Sequence, residues 1–429
     1  MRAIRLGICV SLTFAVLAFG AVELWASSIL EISAALLFLL WGWVAIRQKQ
    51  AEIVWNWLYV PLLGLGCFIL AQEVFEFSVY PYATKLELLR WAAYLLFFFL
   101  TVQSFHVVEE FASLGRFLLG LSFLVSLAGI VQHFTFNGKL YWFVVLHQGG
   151  EPFGPFVNHN HFAGFVELTV PLGLAALLGK AVRQDKVPVL VLLTAIPIGA
   201  LVLSASRGGI SSFLLQLVLL GFLLRDWRAA KAQILEAIVL VLVAGALIVW
   251  LGVGDTVQRF ESLAAEDISH DQRVSLFRDT WQIFRQHPWT GTGLGTLETV
   301  YPAYESFYSS QKVDHAHNDY VELLADTGVI GGVFALVFIC VTFWRGLSNL
   351  RSCRSSAARA LYAGALVGCA GLLVHGLVDF NFHIPSNALL FLILAALATT
   401  RTQREPDAGS GEPPVRDREL DRVPLCEFV

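Results

Sequence analysis

"VDHAHNDYVELLADTGVIGGVFALVFICVTFW", residues 313–344, carries a polar motif with two histidines directly into an apolar stretch. The apolar half decides the fold. A bilayer core of about 30 Å takes roughly 20 apolar residues as a helix, and comparable runs recur along the 429-residue chain. They lie at about 6–22, 26–46, 53–71, 86–104, 114–134, 162–180, 187–204, 208–224, 234–252, 328–344, 360–376 and 385–400. With 56% hydrophobic residues, 14% charged residues and a mean hydropathy of +0.67, the composition excludes a set of soluble domains. The expected fold is an all-α integral membrane protein of about 12 transmembrane helices.

Lys and Arg are concentrated in every second connection: Arg2 and Arg5; Arg47 and Lys49; Arg116; Lys180, Arg183 and Lys186; Arg225, Arg228 and Lys231; Arg345 to Arg359; Arg401 and Arg404. By the positive-inside rule these are cytoplasmic, with both termini inside. The first run then acts as a signal anchor rather than a cleaved signal peptide. Residues 1–252 are expected to hold transmembrane helices 1–9, and 253–327 a large, partly helical outward loop between spans 9 and 10. Residues 328–400 would hold helices 10–12 and 401–429 a disordered cytoplasmic tail rich in Pro, Gly and charge. Four of the six cysteines fall inside spans and two in cytoplasmic segments, so no disulfide is expected. The net charge of −4 matters less than this distribution.

Nearly every unusual polar cluster falls on the outward side: Lys85, "NHNHF" at 158–162, "SASRGG" at 204–209, "DQRVSLFRDT" at 271–280, the opening motif and "HGLVDFNFHIP" at 375–385. Segments distant in the chain but confined to one face of a bundle can build one site. Residues 271–287 read as an amphipathic helix along the membrane surface, with Val274, Phe277, Trp281 and Phe284 on its apolar stripe and Pro288 ending it. "GTGLG" at 291–295 follows no strand and lies outside the cytoplasm, so it is not a nucleotide loop.

In the opening motif a short helix should begin at Asn318 or Asp319, both good caps, and stop at Gly328. His317 then sits at a helix N-terminus, where the partial positive charge disfavours a protonated imidazole and leaves a candidate general base. A purely capping histidine is the plain alternative. Arg207 lies at the outer end of a span among small residues, against the charge bias. Together with Lys85 and Arg273 or Arg278 it suggests an anionic ligand, because a guanidinium fork suits phosphate oxygens; an arginine snorkelling to lipid is the alternative. Asn158, His159, Asn160, His161, His315 and Asn318 suit a hydroxyl-rich ligand. With Asp314 or Asp379 the histidines could instead hold a metal, but His-X-His spacing is weak and no metal is expected. Glu31, Glu87 with Arg90, and Glu167 are ionisable groups inside spans and so candidates for function, although Glu87 and Arg90 have the spacing of a simple helix pair.

These residues resemble the O-antigen ligase and O-antigen polymerase superfamily of bacterial envelope glycosyltransferases, which includes protein O-oligosaccharyltransferases. The likeness rests on His317 followed by ten residues and then Gly328, on "DHAHNDYVELLADTGVIG", on "SASRGG" and on the large outward loop, and it covers about residues 85–400. It implies a metal-independent, cofactor-free transferase in the bacterial cytoplasmic membrane with its active site facing the periplasm. The glycan would move from an undecaprenyl-diphosphate carrier to an acceptor on a glycan, lipid or protein. His317 matches the histidine proposed to activate the acceptor hydroxyl and Arg207 the arginine after the small-residue turn. Lys85 and Arg273, or Arg278 in its stead, would complete a clamp on the diphosphate. One departure is Ser211, where ligases typically carry Leu four residues after the arginine, which argues against the lipid A-core subtype specifically. A polymerase, a protein glycosylating enzyme and, outside enzymes, a transporter of lipid-linked glycans are the competing functions.

Overall fold

The computed structural model describes residues 1–48, 52–146, 150–224, 270–307, 313–353, 355–401 and 422–424. Its long helices among these residues are α1 (Arg2–Leu17), α2 (Leu24–Gln48), α3 (Tyr59–Val74), α4 (Pro81–Ser104), α5 (Val108–Phe134), α6 (His159–Leu178), α7 (Val187–Leu203), α8 (Arg207–Leu223), α9 (His270–Gln286), α10 (Asp319–Ser352), α11 (Ser356–His375) and α12 (Pro385–Thr399). Eleven of the twelve apolar runs fall on these helices; the run at 234–252 and the loop at 253–269 lie outside the described residues. Seven described helices are long and apolar enough to cross a membrane: α2, α4, α5, α6, α7 with the turn before it, α10 and α11. At about 1.5 Å per residue, α3, α8 and α12, with 16, 17 and 15 residues, are shorter than a bilayer core. The bundle is nonetheless built for lipid. Ile29, Ile32, Leu36, Leu39 and Trp43 on α2 stand open in a continuous stripe, which a water-soluble surface does not sustain.

Helix α12 is buried along its whole length and packs with α6 and α11 at the centre. Small residues permit the close approach: a Cβ at Gly364 would stand 2.7 Å from Leu172 Cα, and one at Gly368 2.9 Å from the Leu168 carbonyl. Pro171 inside α6 has no N–H for the carbonyl four residues earlier, that of Glu167. Gln216 of α8 fills the gap by donating its Nε2–H to the Glu167 carbonyl at 2.9 Å and the Val367 carbonyl at 3.1 Å. Such repair is what lets a proline persist in an apolar interior.

The two ends of the bundle differ. One end is stitched by ordinary structural bonds: Asn56 Nδ2 donates to Thr399 Oγ1 at 2.9 Å, Asn349 Nδ2 to the Ala398 carbonyl at 3.0 Å, and Arg5 pairs with Glu110. Here β1 (Glu52–Val54) pairs antiparallel with β2 (Arg422–Pro424), so three tail residues read as disordered form a strand, and the run expected to start a helix at 53 starts one at Tyr59. The other end gathers the starts of α6, α8, α10 and α12 and all the histidines discussed below.

Helix α9 lies within about one residue of the expected bounds; part of the expected apolar stripe stays open, and a second apolar face packs on the protein. Leu276 and Ile283 are buried with Leu297, Tyr301 and Ala325, whereas Phe277 and Trp281 are exposed. The helix carries two apolar faces, and contact with α10 selects Leu276 and Ile283. After it, Gly291, Gly293 and Gly295 all take positive φ, and the loop is bonded to the end of the first segment of α10: the Thr292 N–H donates to the Ala325 carbonyl, the Gly293 N–H to the Asp326 carbonyl and the Gly295 N–H to Asp326 Oδ2. Among the described residues, the "GTGLG" loop follows helix α9 and bonds to the end of the first segment of α10.

Candidate active site

The polar motif folds as its caps dictate. Asn318 Oδ1 accepts from the N–H groups of Tyr320 at 3.1 Å and Val321 at 3.0 Å, starting α10 at Asp319. Gly328 breaks α10 with φ 62°, ψ −164°, after which a second helical stretch continues to Ser352. No side chain fits at Gly328, where a Cβ would overlap the Trp289 backbone. His317, directly before the cap, is itself in the left-handed region at φ 48°. A non-glycine residue held there stores about 1–3 kcal/mol, supported by its surroundings. That support is visible: the Asp319 N–H donates to the Gly376 carbonyl at 2.9 Å, Asn318 Nδ2 donates to the Leu377 carbonyl at 2.8 Å, and the Tyr320 hydroxyl donates to the Leu373 carbonyl at 2.5 Å. Asn318 thus spends its amide on the fold rather than on a ligand.

These bonds bring His317 to the turn after α11, where Asp379 is buried among three imidazoles. His317 Nδ1 is 3.7 Å, His161 Nε2 3.9 Å and His375 Nε2 4.0 Å from its carboxylate oxygens. Behind them His375 Nδ1 lies 2.9 Å from Glu167 Oε1, both fully buried. Burial alone would raise the Asp379 carboxyl, but His317, then His161 and His375, hold it far below the usual carboxylate range.

Beside Asp379 a small cleft opens between His159 and Asn160 at the start of α6, Ala205, Arg207 and Gly208 at the start of α8, Arg273 of α9, and His375. Ser206 caps α8 by accepting from the Gly209 N–H at 3.1 Å, leaving Arg207 exposed as its first residue. The glycines after it serve contact: a Cβ at Gly208 would come within 2.8 Å of the His375 ring, and one at Gly209 within 2.6 Å of Ala163 Cβ. Two helix N-termini and two guanidinium side chains face one space, an arrangement that attracts an anion. Of the other expected residues, Asn158 caps α6 through the Asn160 N–H at 2.8 Å. Arg278 is exposed on α9 and does not line the cleft. Lys85 does not line it either, because its ammonium is 2.9 Å from Glu73 across the α3–α4 turn.

His315 belongs to a second group. Its Nδ1 lies 2.8 Å from Glu322 Oε1, whose other oxygen accepts the Ala316 N–H at 2.8 Å, and His383 Nε2 is 3.3 Å from the same Oε1. Burial disfavours the His315 charge, but Glu322 and then Asp314 and Asp319 more than offset it and raise the group to about 9. Burial lowers His383. Phe380 is the common wall: its ring centroid is 4.4 Å from that of His315, 4.7 Å from His161 and 4.9 Å from His317. Sequence reading had suspected Glu167 and Asp379 but did not join them to His317. His375, Glu322 and His383 were not singled out, although the polar run "HGLVDFNFHIP" signals two of them.

A family model described as O-antigen ligase matches residues 190–336. The matched stretch runs from α7 through Arg207 and Arg273 to His317 and Gly328, and supports membership of the O-antigen ligase superfamily. No curated protein matches the chain.

Proposed function

We propose that the chain transfers a glycan from an undecaprenyl-diphosphate-linked donor to an acceptor hydroxyl on the outer side of the bacterial cytoplasmic membrane. The observation that carries this reading is the convergence of Arg207 and Arg273 on a cleft floored by Asp379, the same carboxylate that faces His317. Two guanidinium groups and two helix N-termini suit a diphosphate, and charge developing on it as it departs is where preorganised cations lower a barrier.

With Nδ1 turned to Asp379, Nε2 of His317 is the nitrogen left to take the acceptor proton. The acceptor oxygen then bonds to the anomeric carbon, the bond from that carbon to the bridging phosphate oxygen breaks, and the diphosphate leaves with the electron pair. Asp379 balances the imidazolium so formed. Direct displacement inverts the anomeric centre. The donor is already activated, so the scheme uses no metal or nucleotide. A ligase-like acceptor is favoured by the histidine motif; polymerisation and protein O-glycosylation would use the same donor site.

The test is transfer by detergent-purified protein supplied with an undecaprenyl-diphosphate oligosaccharide and chelator, wild type beside His317→Ala and Arg207→Ala. Loss in both variants with no effect of chelator is expected. Retained activity in His317→Ala would sink the mechanism, and a donor that binds wild type but is never cleaved would favour a transporter.

A further inference from the structure

The transfer scheme leaves the second histidine group unused. Two separate segments deliver three ligand-type atoms to it: His315 Nδ1, Glu322 Oε1 and His383 Nε2 all lie within 4.8 Å of one another. We propose that these side chains bind a divalent transition metal of the zinc class, forming a clip that fastens the segment before α10 and its first turn to the turn Asn381–His383.

The chemistry of the donor set is specific. Two imidazole nitrogens and one carboxylate oxygen suit zinc-class ions, whereas calcium and magnesium favour oxygen alone. At metal–ligand bonds of about 2.0–2.2 Å, ligand atoms around a tetrahedral ion are separated by roughly 3.3 Å. His383 Nε2 already stands 3.3 Å from Glu322 Oε1, and His315 Nδ1 at 2.8 Å needs to move out by only a few tenths of an ångström. One imidazole would satisfy Oε1 as a hydrogen-bond donor; a second ring nitrogen aimed at the same oxygen suits a shared ion.

The surroundings are those of a supported site. The Ala316 N–H holds Glu322 Oε2 and so fixes which oxygen faces the histidines. Asp319 Oδ1 lies 3.8 Å from His383 Nε2 and places a second carboxylate beside the group. The Glu322 side chain is 2% exposed, but those of His315 and His383 are 26% and 20% exposed, which leaves a way in from the polar end.

Tag-free protein stripped with chelator and titrated with Zn²⁺ alone should take up about one ion per chain and show a higher thermal unfolding midpoint. Co²⁺ in its place should give the visible absorption of a low-symmetry site. His383→Ala should weaken uptake by at least about 100-fold and remove the midpoint shift. Glu322→Gln, which conserves buried volume, should do the same if His383→Ala folds poorly. His287→Ala, at an exposed histidine after α9, should change neither reading. Equal Zn²⁺ uptake by wild type and both variants, or none by wild type, would overturn the clip. The readout is metal uptake, so it stands or falls separately from glycan transfer.

Discussion

Two carboxylates at one end of this bundle are each surrounded by histidines, and their spacing separates them. Around Asp379 the imidazole nitrogens stand 3.7–4.0 Å away, beyond hydrogen-bond length, beside a cleft lined by Arg207 and Arg273. Around Glu322 they stand at 2.8 and 3.3 Å, and a backbone N–H takes the remaining oxygen. A slack group can tighten when a reacting atom arrives, whereas the Glu322 group already stands at bonding distances that hold two segments together. The same residue types therefore read as chemistry at Asp379 and as scaffold at Glu322.

The sharpest way to break this contrast is to remove one histidine from each group. His317→Ala should lower transfer by about 10³-fold, in the range a general base supplies, while His315→Ala should cost transfer less than about tenfold. Equal losses, read as initial rates on the lipid-linked donor, would erase the distinction. Next in size are the cations. Arg207→Ala and Arg273→Ala should each lower transfer by about 10²-fold, as loss of a charge-stabilising group does. Arg278→Ala and Lys85→Ala should stay close to wild type, because neither side chain lines the cleft. Asp379→Asn should come third, lowering kcat by about 10–100-fold with KM little changed, since a residue that orients His317 acts on the transition state. A KM rise at constant kcat would assign Asp379 to binding instead.

What the sequence revealed follows from how local each signal is. The bounds of α10's first segment were legible at Asn318 and Gly328 because a cap and a left-handed glycine act within one turn. Arg207 was legible as a cation framed by small residues at the start of a helix, and it lines the cleft. The pairing of Lys85 with Glu73 was not legible, because nothing near Lys85 announces that Glu73 waits across the α3–α4 turn. The protein-facing side of α9 was not read, because Leu276 and Ile283 are selected by what packs on them, while Phe277 and Trp281 of the expected stripe stay exposed. The third run was read as starting at 53, where residues 52–54 instead pair as β1 and the helix begins at Tyr59. Asp379 could be suspected but not understood, since its three imidazoles come from positions 161, 317 and 375 and meet only through tertiary packing.

The smallest expected effect concerns acid. The folded Asp379 carboxyl is depressed below its ordinary 3.8. A group depressed on folding contributes stability above the unfolded value, and that contribution is lost as pH falls from there toward the folded value. The wild-type unfolding midpoint should thus carry an acid-side decline below about pH 4 that Asp379→Asn lacks. Replacing Asp314, which is not among the charges surrounding Asp379, should leave that decline in place. Parallel acid limbs in wild type and Asp379→Asn would mean that the three imidazoles do not hold the carboxylate charged, and that the slack group is a packing arrangement instead of a poised base with its counter-ion.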